Sequence, residues 1–87
     1  MDITAIEITQ ARFDPDAARH QAHVCLDMRP GDRDTPLHMH FLCHSARGAT
    51  EADSLVTEDL IADALRQARR MPGFRRGERR IVMRLSA

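Results

Sequence analysis

The chain contains no tryptophan, no tyrosine and no lysine, and its two cysteines are Cys25 and Cys43. Two cysteines are too few for the disulfide framework of a small secreted domain. No apolar run approaches the roughly 20 residues that a membrane-spanning helix needs, and the chain does not start with a basic-then-apolar signal segment. We therefore expect a cytoplasmic protein with reduced thiols and no membrane partner.

Familiar catalytic and nucleotide-binding motifs are also missing. The sequence contains no phosphate loop, no GxGxxG, no GxSxG elbow, and no CxxC or HExxH spacing. A chain of 87 residues removes only about 60 to 65% of its unfolded surface from water, so its core is small and self-association would help it. We expect a single domain over residues 1 to 87 that is not an enzyme.

The N-terminal segment predicts a strand followed by a tight reversal. Residues 2 to 13 are rich in β-branched side chains. Their apolar residues do not keep one alternation, because Ile6 and Ile8 have even numbers whereas Ala11 and Phe13 have odd numbers. A bulge near Gln10 would bring these positions onto one face, whereas the alternative is a central strand buried on both faces. The positions concerned are Ile6, Ile8, Ala11 and Phe13. Asp14 before Pro15 then predicts an N-cap and a single helical turn over 15 to 19.

Two further stretches alternate cleanly between apolar and polar side chains, which is typical of half-buried strands. Residues 20 to 28 place Ala22, Val24, Leu26 and Met28 on one face, and residues 37 to 45 do the same with Leu37, Met39, Phe41 and Cys43. The connecting segment RPGDRDTP predicts a loop between antiparallel strands. Cys25 and Cys43 are expected on opposite faces of the sheet.

The second half of the chain predicts one amphipathic helix and a last strand. From about 53 to 71, an apolar stripe recurs at helical period, with Ser54 or Thr57 as the predicted N-cap. The stripe comprises Val56, Leu60, Ile61, Ala64, Leu65 and Ala68. RRIVMRL then predicts a fourth strand. The order βββαβ indicates an α+β two-layer sandwich, with the helix on one face of a four-stranded, mainly antiparallel sheet.

Three of the five histidines lie in the segment LHMHFLCHSA. If Met28 pairs with Leu37, then Asp27 faces His38 and Cys25 faces His40, at separations that would suit Zn²⁺. This predicts a candidate metal site formed by His38, His40, Cys25 and Asp27. His44 lies about 13 Å beyond His40 along the strand and cannot join it.

The same residues have two other interpretations. They would equally form a polar surface that faces solvent or a dimer partner. Cys25 with His40 could also act as a nucleophile pair, but the sequence shows no orienting third group and no oxyanion site.

Charge is divided unevenly along the chain. Residues 1 to 63 carry twelve acidic side chains and five arginines, whereas residues 64 to 87 carry eight arginines and one glutamate. The C-terminal arginines predict a possible polyanion-binding patch, formed by Arg75, Arg76, Arg79 and Arg80. Because the net charge is zero, pairing with acidic groups within the molecule or across a dimer is the favoured alternative.

Together these features predict a small, non-enzymatic binding or assembly module that self-associates, most simply as a homodimer, and that uses no cofactor. One alternative is a zinc-binding protein that uses the strand HxH motif with Cys25. Another is a nucleic-acid accessory protein that uses the arginine patch.

Overall fold

The computed structural model describes residues 2 to 29, 37 to 71 and 82 to 83. The elements are β1 (Asp2–Asp14), β2 (Arg19–Arg29), β3 (Leu37–Ser45) and α1 (Asp53–Arg69). Both β1 and β3 pair antiparallel with β2, which is therefore the centre of a three-stranded sheet. The predicted α+β class is confirmed: one helix packs on a three-stranded antiparallel sheet.

The predicted fourth strand falls mostly on residues outside the described ranges. Within RRIVMRL, the two-residue strand Val82–Met83 pairs in parallel with the start of β1, at Asp2 and Ile3. This contact lies at the edge of the sheet opposite to the edge that β3 forms. A full four-stranded sheet in the order βββαβ stays a prediction.

The core lies between α1 and one face of the sheet, as the alternation predicts. Every second residue of β2 from Ala22 to Met28 is at most 1% exposed, and the helix buries its stripe against them. The buried residues of α1 are Val56, Leu60, Ala64 and Ala68. None of the helices in the described ranges has the length and apolarity to cross a bilayer.

The bulge predicted near Gln10 is confirmed. The β1–β2 register shifts between Thr9 and Arg12, and Gln10 has a left-handed φ of 56°. The bulge accommodates one extra residue on β1. After it, odd-numbered residues of β1 face the core, whereas just before it the even-numbered residues do so. Phe13 then faces His20, and their rings pack edge to face with centroids 4.9 Å apart.

A second bulge near the start of β1 was not predicted. The register shifts between Ile3 and Ala5, and the Thr4 hydroxyl donates to the Asp27 carbonyl at 3.2 Å. Because the extra residue reverses the phase, Ile3 shares the core face with Ile6 and is fully buried.

Two local predictions about caps and turns are wrong. Residues 15 to 18 form a tight turn between β1 and β2 and not a helical turn, because Ala18 takes a left-handed φ of 54° that ends any helix. Asp14 nevertheless caps this turn by accepting the backbone N–H of Asp16 at 3.0 Å. The N-cap of α1 is Ala52, without a side-chain cap bond, and neither Ser54 nor Thr57.

Candidate functional site

The face of β2 and β3 that points away from α1 carries most of the chemically active side chains. The predicted register is confirmed: Asp27 lies opposite His38, Cys25 opposite His40 and His23 opposite Leu42. We call this surface the histidine face. Its residues are His23, Cys25, Asp27, His38, His40, Leu42 and His44.

Asp27 and His38 form the closest polar contact on the histidine face. Asp27 Oδ1 lies 2.6 Å from His38 Nδ1. The side chains are 36% and 61% exposed, so solvent screens the pair and it contributes only about 0 to 1 kcal/mol to stability. Its main effect is to orient the imidazole, because engaging Nδ1 leaves Nε2 as the nitrogen for another partner.

Cys25 occupies the centre of the histidine face, between acidic and imidazole groups. Its Sγ lies 3.7 Å from Asp27 Oδ1 and 3.9 Å from His40 Nε2, while Glu7 of β1 is its cross-strand neighbour. Burial raises the pKa of the Cys25 thiol, and the Asp27 and Glu7 charges raise it further. A raised pKa disfavours the thiolate, which weakens the interpretation of Cys25 and His40 as a nucleophile pair.

The four residues of the predicted metal site are adjacent, but they do not converge on one point. Asp27 is engaged with His38, and Cys25 reaches His40 only at 3.9 Å. Within residues 2 to 29, 37 to 71 and 82 to 83, no three His, Cys, Asp or Glu side chains are grouped closely enough to hold a metal ion. Zinc binding within one chain stays a prediction.

Comparisons with known proteins return nothing. No protein-family model, no curated protein and no solved structure matches this chain. Functional inference therefore rests on the side chains and backbone groups of the described residues.

The predicted polyanion-binding residues lie outside the described ranges, so polyanion binding stays a prediction. They are Arg75, Arg76, Arg79 and Arg80. Two arginines that the structure does describe are paired with acids of α1: Arg66 Nη2 bonds Asp63 at 3.0 Å, and Arg47 Nε bonds Asp59 at 2.9 Å. The Arg66 pair is of the kind that the alternative predicts for the C-terminal arginines, whereas Arg47 belongs to the acidic part of the chain.

Sequence reasoning missed a row of polar side chains on α1 that binds the outer edge of β3. Asp63 Oδ2 accepts the His44 backbone N–H at 2.9 Å, and Gln67 Nε2 donates to the Leu42 carbonyl at 3.0 Å. One turn earlier, Asp59 accepts the Ser45 hydroxyl at 2.7 Å. The spacing of four residues beside the apolar stripe was visible in the sequence, but it did not reveal which strand the row would meet.

The bonds from this row of helix side chains show which residues of β3 direct their backbone N–H and C=O groups away from β2. Residues of an antiparallel strand direct both backbone groups to the same side, and the side alternates along the strand. Since Leu42 and His44 bond α1 outside the sheet, His38 and His40 also direct their N–H and C=O groups outward. Among the described residues, none bonds these groups of His38 and His40.

Proposed function

We propose that this protein is a small, non-enzymatic assembly module that self-associates as a homodimer by pairing β3 with β3 of a second copy. The supporting observation is that residues 37 to 41 of β3 are incompletely covered by the described part of the chain, both at their backbone edge and on their core face. We call this stretch the open edge.

The backbone supports this proposal because the open edge holds hydrogen-bonding groups without a described protein partner. Unpaired groups along an edge strand form a template for another strand. The helix side chains occupy only the far end of β3, at Leu42 and His44. Antiparallel pairing about Met39 would satisfy the N–H and C=O groups of His38 and His40 in both copies and leave the helix contacts intact.

The apolar side chains of the open edge support the same pairing. On the core face, exposure rises along β3 from 0% at Cys43 to 41% at Leu37, with Met39 and Phe41 only partly buried. Pairing about Met39 would set Leu37 opposite the partner's Phe41 and Met39 opposite the partner's Met39. Cross-strand apolar pairs of this kind each contribute roughly 0.2 to 1 kcal/mol relative to alanine.

The opposite edge of the sheet is less suited to strand addition. There, β1 has two register shifts, and its start is already paired with Val82–Met83. Bulges disrupt the ladder and twist an edge away from a partner. By contrast, the register of β3 against β2 is continuous from Leu37 to Ser45.

The same proposal includes two finer points of architecture and location. We infer that RRIVMRL extends Val82–Met83 into a fourth strand beside β1, which leaves β3 as the available edge. We also infer a reducing, cytoplasmic location, because Cys25 and Cys43 are free thiols on opposite faces of the sheet.

Two substitutions at one position test the proposed edge pairing. His40→Pro removes the outward N–H group, which the β2–β3 ladder does not use, so proline is tolerated there in a monomer. His40→Ala removes the same imidazole but keeps the N–H group and is the matched control. In sedimentation velocity at micromolar concentration with EDTA, we expect wild type and His40→Ala to be dimers and His40→Pro to be a monomer.

Two outcomes of this experiment would contradict the proposal. A wild type that is monomeric in EDTA would rule out metal-free self-association. A His40→Pro variant that dimerises as wild type does would show that the open edge is not the interface. Far-UV circular dichroism on each variant establishes that the fold is retained.

A further inference from the structure

The geometry of the Asp27–His38 contact resembles the support that proteins give to a metal-binding histidine. The ring nitrogen of such a histidine that does not bind the metal commonly donates its N–H to a carboxylate. This hydrogen bond fixes the tautomer and leaves the other ring nitrogen for the metal. Asp27 holds His38 Nδ1 at 2.6 Å and so presents Nε2 as the ligand atom. This makes Asp27 a supporting group beside the metal and not a ligand.

One copy of the chain supplies only two imidazoles to such a site. His38 and His40 are two residues apart on β3, so their Cα atoms are about 6.6 Å apart on one face. Cys25 is the nearest further donor, but its Sγ is already close to the Asp27 carboxylate. A site with two protein ligands is incomplete for zinc, which is usually bound by three or four.

The proposed edge pairing would supply the missing ligands. With Met39 on the two-fold axis, His38 lies opposite the partner's His40, and His40 lies opposite the partner's His38. Hydrogen-bonded pairs of this type have Cα atoms about 5.5 Å apart. All four imidazoles would then project from the same face of the joined sheet and surround the axis.

We propose that a divalent transition-metal ion of the zinc class binds on this axis, held by His38 and His40 from each of two copies. This inference rests on the proposed self-association. Four imidazoles at the corners of a rectangle of about 5.5 by 6.6 Å can converge above its centre, and imidazole is an accepted ligand for zinc, copper and nickel. One ion serves two chains, whereas a site within one chain would take one ion per chain.

Zinc titration of the EDTA-stripped protein tests this site, with native mass spectrometry to count ions and chains together. We expect one zinc ion per two chains in wild type and none in His38→Ala or His40→Ala. His44→Ala is the matched control: it removes a histidine from the same strand and face, keeps the backbone bond to Asp63, and should bind zinc as wild type does. Asp27→Asn should weaken binding about 10- to 100-fold, the usual effect of losing such a supporting carboxylate.

The role of Cys25 separates this site from the one predicted within a single chain. In the dimer site the thiol is a neighbour and not a ligand, so Cys25→Ser should retain the stoichiometry and affinity of wild type. Substituted Co²⁺ should correspondingly give visible bands of a four-coordinate site without a thiolate charge-transfer band. Loss of zinc in Cys25→Ser, or one zinc ion per monomer, would overturn the proposal.

The measurements also separate failure of the metal site from failure of the proposed dimer. A protein that is a dimer in EDTA but binds no zinc refutes the metal site alone. A protein that is monomeric in EDTA but forms a dimer with one zinc ion supports the metal site and refutes metal-free association. A protein that stays monomeric with and without zinc refutes both.

Discussion

Gln10→Val is expected to destabilise the protein, although it places a strong β-former at an exposed position in a strand. Ordinary β propensity would predict a neutral or favourable change. Gln10, however, sits at the bulge between Thr9 and Arg12 with φ of 56°, a region that is strained for side chains with a Cβ and worst for β-branched ones. The left-handed backbone at Gln10 therefore disfavours valine, although valine has a high β propensity.

The magnitude follows from the backbone strain alone, because the Gln10 side chain is exposed. Left-handed backbone costs any residue with a Cβ about 1 to 2 kcal/mol, which glutamine already bears. A β-branched residue should be less stable still, by on the order of 1 kcal/mol. Gln10→Gly relieves the strain but loses about 0.4 to 1 kcal/mol through the entropy of the unfolded chain, so it should be neutral or slightly stabilising. Each 1 kcal/mol corresponds to roughly 4 to 8 °C in Tm for a domain of this size.

Urea unfolding measures this difference, with Thr9→Val as the control. Thr9 is also exposed but lies within the regular ladder opposite His23, so its replacement should change stability by no more than about 0.5 kcal/mol. All variants are compared at one protein concentration, because dissociation of a dimer contributes to apparent stability. If Gln10→Val is as stable as wild type, the left-handed bulge and the change of phase that follows it are wrong.

Two further predictions concern titratable groups around β3. Hydrogen bonds from Ser45 and Arg47 hold the pKa of Asp59 below its ordinary value despite partial burial, so its contribution to stability should be present above about pH 4 and lost as the pH falls through the lowered pKa. Urea midpoints from pH 5 to pH 2 should therefore fall less steeply for Asp59→Asn than for wild type, and equal slopes would contradict this. Burial, reinforced by Asp63, raises the pKa of the Cys43 thiol to about 11. Iodoacetamide at pH 8 should accordingly label Cys25 before Cys43 in the folded protein and both thiols in urea, as read by peptide mass mapping, and equal labelling without urea would refute the buried position.

The outer edge of β3 has two parts that differ in their contacts with α1. From Leu42 to Ser45, the side chains of α1 bind the backbone and the Ser45 hydroxyl. From Leu37 to Phe41, the described helix makes no such bonds, and the apolar face becomes more exposed. In the proposed dimer, the helix would thus limit strand addition to one half of β3 and favour a register about Met39.

Alternation along the sequence was sufficient to assign faces in β2 and β3. A strand has a period of two, so the polar residues between Ala22 and Met28 had to share a surface with His38 and His40 once the loop joined the strands antiparallel. The helical period likewise identified the buried stripe of α1. The parity change within residues 2 to 13 indicated either a bulge near Gln10 or a strand buried on both faces, and the structure shows the bulge.

Other features depended on contacts between residues distant in sequence. The bulge at Thr4 left too short a segment to show a change of parity, and the cap of α1 did not follow the usual side-chain preference. The row formed by Asp59, Asp63 and Gln67 was polar by composition, but its function depends on where the helix crosses the sheet.

The sequence by itself thus determined which side chains share a face, because that follows from local backbone periodicity. Tertiary structure alone decided that, among the described residues, the helix bonds β3 only from Leu42 onward, because helix position arises from packing between distant segments. It also decided the contact of Asp27, a predicted metal ligand. Its carboxylate lies 2.6 Å from His38 Nδ1, a contact that depends on the rotamers of both side chains and not on spacing.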